Sequence, residues 1–192
     1  NYERYDLDFQ NIKFIDSKYL KKIFLSDKFF HKKYINENSY EYHSFEWLNI
    51  AKNMGGAENV SKSKRHVINW KRLRYGKKLY IWNSSFASKR FINLIYNYDF
   101  YAVSASEKEK DFFHKIILEH YLFIYFSSNK NKYSSSTVGE CKALILGSLI
   151  YNKNIDFSFK FLLSLMNLQI DENGFNVSYN PLNHAEFLND LY

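Results

Sequence analysis

One proline, Pro181, and six glycines in 192 residues leave this chain almost without backbone punctuation. Proline breaks or kinks a helix and glycine marks tight turns, so a chain with so few of either is expected to run in long helices. The apolar spacing agrees: Leu, Ile, Phe and Tyr recur at three- and four-residue intervals, and no period-two run is long enough for a sheet. The expected class is all-α, with about seven helices joined mostly by short polar loops and packed as antiparallel pairs.

In order along the chain, residues 1–15 alternate without a helical stripe, and Asp16 or Ser17 caps a helix carrying Tyr19, Leu20, Ile23 and Phe24 that ends near Tyr34. Residues 35–43 are polar and read as a loop. Ser44, followed by Trp47, Leu48, Ile50 and Ala51, predicts a short helix that stops at Gly55-Gly56. Ser84 or Ser85 caps the next helix, in which Phe86, Arg90 and Asn93 share one face beside an apolar stripe of Phe91, Leu94, Ile95 and Tyr98. Ser106 with Glu109 has the form of a capping box, and the helix behind it runs through Phe113, Ile116, Ile117, His120, Tyr121 and Ile124. A Ser-, Asn- and Lys-rich loop then leads to the blocks VGECKALILGSLIY and DFSFKFLLSLMNLQI, and to a final loop holding Pro181 and His184. The whole is expected to be one domain over 1–192, with 1–43 an N-terminal extension and first helix and 44–192 the packed helices. Its ends, at Asn1 and inside a continuing helical pattern at Tyr192, suggest a piece of a longer protein.

Hydrophobic residues at 46% and charged residues at 24% suit a globular domain with a proper core. The net charge of +7 favours an acidic polymer or surface, although a Lys-, Asn- and Ile-rich composition also follows from nucleotide bias in a gene. The charge concentrates in SKSKRHVINWKRLRYGKK, residues 61–78, around Trp70 and Tyr75. Two functions fit that run: binding of nucleic acid, with cations on phosphates and rings on bases, or a solvated helix face with Val67, Ile68, Leu73 and Trp70 turned inward. Cys141 is alone, so no internal disulfide forms. No apolar run approaches the ~18 residues of a spanning helix.

Enzyme motifs are sparse. The chain has no Gly-rich phosphate loop, nucleophile elbow, Cys-x-x-Cys or His-Glu-x-x-His string, and no cofactor is expected. His120 lies on an apolar face with no second His or carboxylate at a metal-ligand spacing, so it reads as a satisfied core histidine, and no metal is expected.

One ordered series of features resembles a family. The Gly-Glu helix VGECKALILGSLIY, the Leu-rich helix ending at Gln169, Asp171 with a following Gly, and Pro181-x-x-His184 opening another helix resemble the N-terminal domain of the heparinase II/III family; WNSSFASKRFINLI, with Trp82, Arg90 and Asn93, matches upstream. The similarity runs from roughly residue 70 to the end and implies an incomplete (α/α) toroid whose groove holds a polysaccharide. It further implies a C-terminal β-sandwich, absent from this sequence, and a periplasmic or secreted location. Such enzymes are lyases that cleave uronic-acid polymers by β-elimination, which needs a carboxylate neutraliser and groups for proton transfer. Carried over by position, the family's Asn-His pair falls on Ser135 and Ser136, and its Tyr on Asn183, beside His184. Tyr179 or Tyr133 could stand in for the missing phenol. The resemblance thus implies an acidic-polysaccharide-binding domain with a degenerate catalytic set, in which Trp82, Arg90, Asn93 and Tyr179 contact substrate.

Overall fold

The computed structural model describes residues 39–72, 81–130, 138–178, 180, 184, 185, 187 and 188. Among them lie eight helices: α1 Ser39–Ser44, α2 Trp47–Met54, α3 Ala57–Arg72, α4 Ser84–Tyr96, α5 Tyr98–Tyr101, α6 Glu107–Lys130, α7 Val138–Tyr151 and α8 Ile155–Gln169. The protein is all-α in these residues, with one isolated antiparallel bridge, Ile170 to Asn176. The expected helix over 16–34 lies outside them.

α4 is the organising helix. It packs on α1, α2, α6 and α7, while α7 also packs on α6 and α8, and α3 on α2 and α5. α7 suits this enclosed place because its sequence is apolar on nearly every side, and Val138, Cys141, Ala143, Leu144 and Gly147 are all buried. Trp47, Trp70, Tyr101, Tyr121, Phe91, Phe113 and Phe161 are among the fully enclosed side chains of the core. Each contributes roughly 1.5–3 kcal/mol from apolar area withdrawn from water.

Helix boundaries follow local chemistry. Ser106 and Glu109 form the expected capping box: Ser106 N–H donates to Glu109 Oε2 at 2.8 Å and Glu109 N–H to Ser106 Oγ at 3.4 Å. Gly55 ends α2 at φ 63°, and its N–H donates to Ala51 and Lys52 oxygens. The cap of α4 is Asn83, one residue before the expected serines; its Oδ1 accepts from Phe86 N–H at 2.8 Å. That helix also breaks sooner than its stripe suggests, at Asn97, so Tyr98–Tyr101 forms a separate turn.

Residues 39–43, expected in a loop, belong to α1. The polar composition misleads there because Tyr42, His43 and Ser44 are all buried against the rest of the core. Phe45 follows at φ 63°, a left-handed conformation that costs a β-carbon-bearing residue roughly 1–2 kcal/mol. Its ring offsets that cost by sitting edge-on to Trp47 and Trp70, with centroids 5.6 and 5.3 Å away.

Two polar ladders lock the packing. Asn93 Nδ2 donates to Ser44 O at 2.9 Å, Asn49 Nδ2 to Asn93 Oδ1 at 2.9 Å, and Asn97 Nδ2 to Asn49 Oδ1 at 2.9 Å, joining α1, α2 and α4. On the other side, Tyr121 Oη meets Ser148 Oγ at 3.2 Å and donates to Lys153 O at 3.2 Å, while Ser148 and Ser158 bond to each other. This second set ties α6, α7 and α8 together.

Candidate functional site

The residues singled out by sequence fall in three places. Trp82 and Arg90 come together in a buried cluster that also contains His43, Trp70 and His120. Arg90 is 0% exposed. Its Nε donates to His120 Nε2 at 2.9 Å, Nη1 to His43 O at 3.2 Å and Nη2 to Ile81 O at 3.0 Å. The guanidinium carbon lies 4.9 Å from the Trp70 ring centroid and 5.2 Å from that of Trp82, so two aromatic faces flank the charge. Burial pushes the guanidinium down to about 9, still charged at neutral pH.

His120 completes the arrangement. Its Nδ1 is 2.7 Å from Ile116 O, which places the ring proton there and leaves Nε2 to accept from Arg90. Burial first, then the Arg90 charge, hold this imidazole well below its ordinary value, so it stays neutral. Trp70 Nε1 donates to His43 Nδ1 at 3.0 Å, fixing a second tautomer. Trp82 is half-buried, 4.8 Å from His120 and 5.0 Å from Phe123 between ring centres, and its Nε1 is enclosed without a hydrogen-bond partner among the described residues. Asn93 belongs to the α1–α2–α4 ladder, where both ends of its amide are engaged. Arg90 and Asn93, substrate contacts by the resemblance, thus both lie in the interior with their polar atoms bonded to protein groups.

His184 lies in the second place, the loop after α8. Asp171 Oδ1 accepts from the N–H groups of Asn173 and Phe175 at 2.9 Å each, Gly174 takes φ 83°, and Val177 N–H donates to Gln169 O at 2.9 Å. His184 Nδ1 accepts from Asn176 N–H at 3.4 Å, its own N–H donates to Asn180 O at 3.0 Å, and its ring lies 5.9 Å from Phe175. These bonds all close within the loop and the end of α8. Ser135, Ser136, Tyr133, Tyr179, Pro181 and Asn183 lie outside the described residues.

The third place is the outward face of α3. Ser63, His66, Val67 and Trp70 point inward, which turns Ser61, Arg65 and Arg72 to solvent. A shallow recess of ≈ 270 Å³ opens there, lined by Ser61, Lys64, Arg65, Ile68, Asn69, Arg72 and Glu109. Lys64 is committed, donating to Ser104 O at 3.2 Å and pairing with Glu109 at 3.3 Å, and Lys71 pairs with Glu119. Arg65 and Arg72 make no ion pair among the described residues. The sequence flagged both arginines through the basic run; Asn69 and Glu109 as lining residues escaped it, since Glu109 arrives from α6 through the fold. Arg74, Lys77 and Lys78, the end of that run, lie outside the described residues.

Glu140, in the Gly-Glu motif, is buried and accepts from Ser84 Oγ at 2.6 Å, bridging α7 to the start of α4. Cys141 is enclosed, and burial pushes its thiol up to about 12, so it is not poised as a nucleophile. Among the described residues no group of three or more His, Cys, Asp or Glu is placed to hold a metal ion, and no helix is long and apolar enough to cross a membrane. Comparison with protein-family models, curated proteins and solved structures returned no match.

Proposed function

We propose that this chain is a non-enzymatic helical module that binds a polyanion through the outward face of α3. The observation that supports it most directly is the pair of exposed, uncommitted arginines, Arg65 and Arg72, flanking the recess on that face. Exposed positive charge on the outward face of α3, with Arg90 enclosed in the core, supports this reading over a basic groove at Trp82 and His184. Exposed charges act through water and are screened beyond ~8 Å at physiological ionic strength. Binding to an acidic polymer should therefore weaken as salt rises and fall further in Arg65→Gln and Arg72→Gln. Equal, salt-insensitive binding of acidic and neutral polymers would refute the proposal.

The heparinase II/III resemblance supplies a second reading, an acidic-polysaccharide-binding toroid with a degenerate lyase set. Its support is the helix order and the adjacency of Trp82 and Arg90. With Ser135, Ser136 and Asn183 at the family's catalytic positions, no unsaturated uronate should be released, since losing one such stabiliser costs about 10²–10³ in rate. Growth of the unsaturated-product ultraviolet absorbance on a uronate polymer would restore the enzymatic reading.

A further inference from the structure

We infer that the exposed side of α8 is a self-association surface, on which a second copy of this chain docks antiparallel about a two-fold axis between Leu162 and Leu163, whatever α3 binds. α8 turns Ser158, Phe161 and Leu165 into the fold, where the helix packs on α7. On its exposed side Phe159 and Leu163 stand 46% and 60% open to solvent, with Ile155, Leu162, Met166 and Ile170 half-buried beside them. Ile155, Phe159, Leu162 and Met166 follow one another at steps of 4, 3 and 4, the spacing of a seam between two helices. Asp156, Lys160 and Asn167 are exposed along the same helix, so the apolar stripe has a polar margin, as the centre of a protein interface does.

What selects a second copy as the occupant is the order of these residues. From Ile155 to Ile170 the six apolar positions are separated by 4, 3, 1, 3 and 4 residues, the same in either direction along the chain. A two-fold interface lays one patch on its own image and therefore demands this self-complementarity, which a seam for an unrelated partner does not need. About an axis between Leu162 and Leu163, the leucines of both copies form the central layer. Phe159 then lies level with the partner's Met166, ring against thioether, and Ile155 with the partner's Ile170, over a seam about 22 Å long at 1.5 Å per residue. Charge agrees with that register. Lys153, just before α8, and Glu172, just after it, are both exposed, and antiparallel docking sets each level with the other's image, whereas a parallel pair would oppose like charges. Leu149 and Ile150 at the end of α7, and Phe175 and Val177 after α8, are exposed as well, and the same operation brings the end of α8 that carries the first pair to the end that carries the second.

The test is sedimentation equilibrium of the full 192-residue chain from about 1 μM to about 1 mM. The mass should double as concentration rises, and Tm should rise with it, because association stabilises the folded state by mass action. Leu163→Glu sets like charges face to face at the axis and should keep the chain monomeric; the site is exposed, so at the lowest concentration this variant should melt as the parent does. Lys153→Glu and Glu172→Lys should each weaken the dimer by about fivefold, and the two together should restore it. Leu163→Cys should form a disulfide-linked dimer on oxidation, Cys141 being enclosed, while Glu58→Cys on α3 should not. A chain that stays monomeric at every concentration leaves the face to a different occupant and overturns the inference, as does a dimer indifferent to Leu163→Glu. Charge swaps whose effects add instead of cancelling overturn the antiparallel register.

Discussion

Gly147→Ala should destabilise the protein although alanine is the better helix former. Gly147 lies inside α7, where it faces Tyr121 of α6; a β-carbon there would sit 2.1 Å from Tyr121 Cδ2, 2.7 Å from Cε2 and 2.9 Å from Cγ. The ring has little room to retreat, because it stacks on Tyr151 with centroids 5.2 Å apart and its hydroxyl is held by Ser148 and Lys153. Overpacking of this kind costs about 1–3 kcal/mol, and contact with three atoms of a pinned ring puts the cost at the upper end. The helix gain on replacing glycine by alanine offsets about 1 kcal/mol. A net loss of about 2 kcal/mol follows, or about 4–8 °C in Tm for a chain of this size. Urea unfolding and thermal melting measure it directly. The same substitution placed in Tyr121→Ala should instead be neutral or stabilising, since the obstructing ring is gone. A Gly147→Ala protein as stable as the parent, or one with the same loss in both backgrounds, would refute the close approach of α6 and α7.

Arg90→Met should cost about 3 kcal/mol or more, because it strips donors from His120 Nε2, His43 O and Ile81 O in the core; Arg90→Lys should rescue little, as measured by urea midpoints. Acid should weaken the fold early. His66 is depressed to about 2 by burial, then Arg65 and Lys62, and His120 well below 6.5 by burial, then Arg90, so the unfolded chain takes up protons first. Stability is then complete above about pH 6.5 and falls below it by up to about 1.4 kcal/mol per pH unit for each histidine; His120→Gln should flatten the profile, read from Tm against pH. Asn83→Ala should cost about 1 kcal/mol by freeing the first-turn N–H of Phe86, whereas Ser84→Ala tests the separate bond to Glu140.

The parts of the fold legible in the sequence were those written within one turn of helix. The capping box of Ser106 and Glu109, the stop at Gly55 and the buried stripe from Phe113 to Ile124 each depend on neighbours three or four residues away. Where a boundary depended on distant partners, the local pattern misled. α1 is polar in composition, yet its Tyr42, His43 and Ser44 are buried, with Ser44 O accepting from Asn93 and His43 O from Arg90. The break at Asn97 has the same origin, since that amide reaches Asn49, 48 residues away.

The site was harder to read for a related reason: a cation in sequence does not announce whether its partners are water, a ligand or the core. Arg90 stands beside an apolar stripe, as a ligand-facing arginine would. What decides its role are acceptors 9, 30 and 47 residues distant and two tryptophan rings on either side. None of those acceptors is a carboxylate, so the guanidinium keeps its charge through neutral oxygens, an imidazole nitrogen and aromatic faces. That solution requires His120 to stay neutral with its proton on Nδ1, which the contact with Ile116 O secures. Extracting Arg90 toward a ligand would expose three acceptors and both ring faces at once. Arg65 and Arg72 carry no such commitments among the described residues, which is why the proposed binding role is assigned to them and not to Arg90.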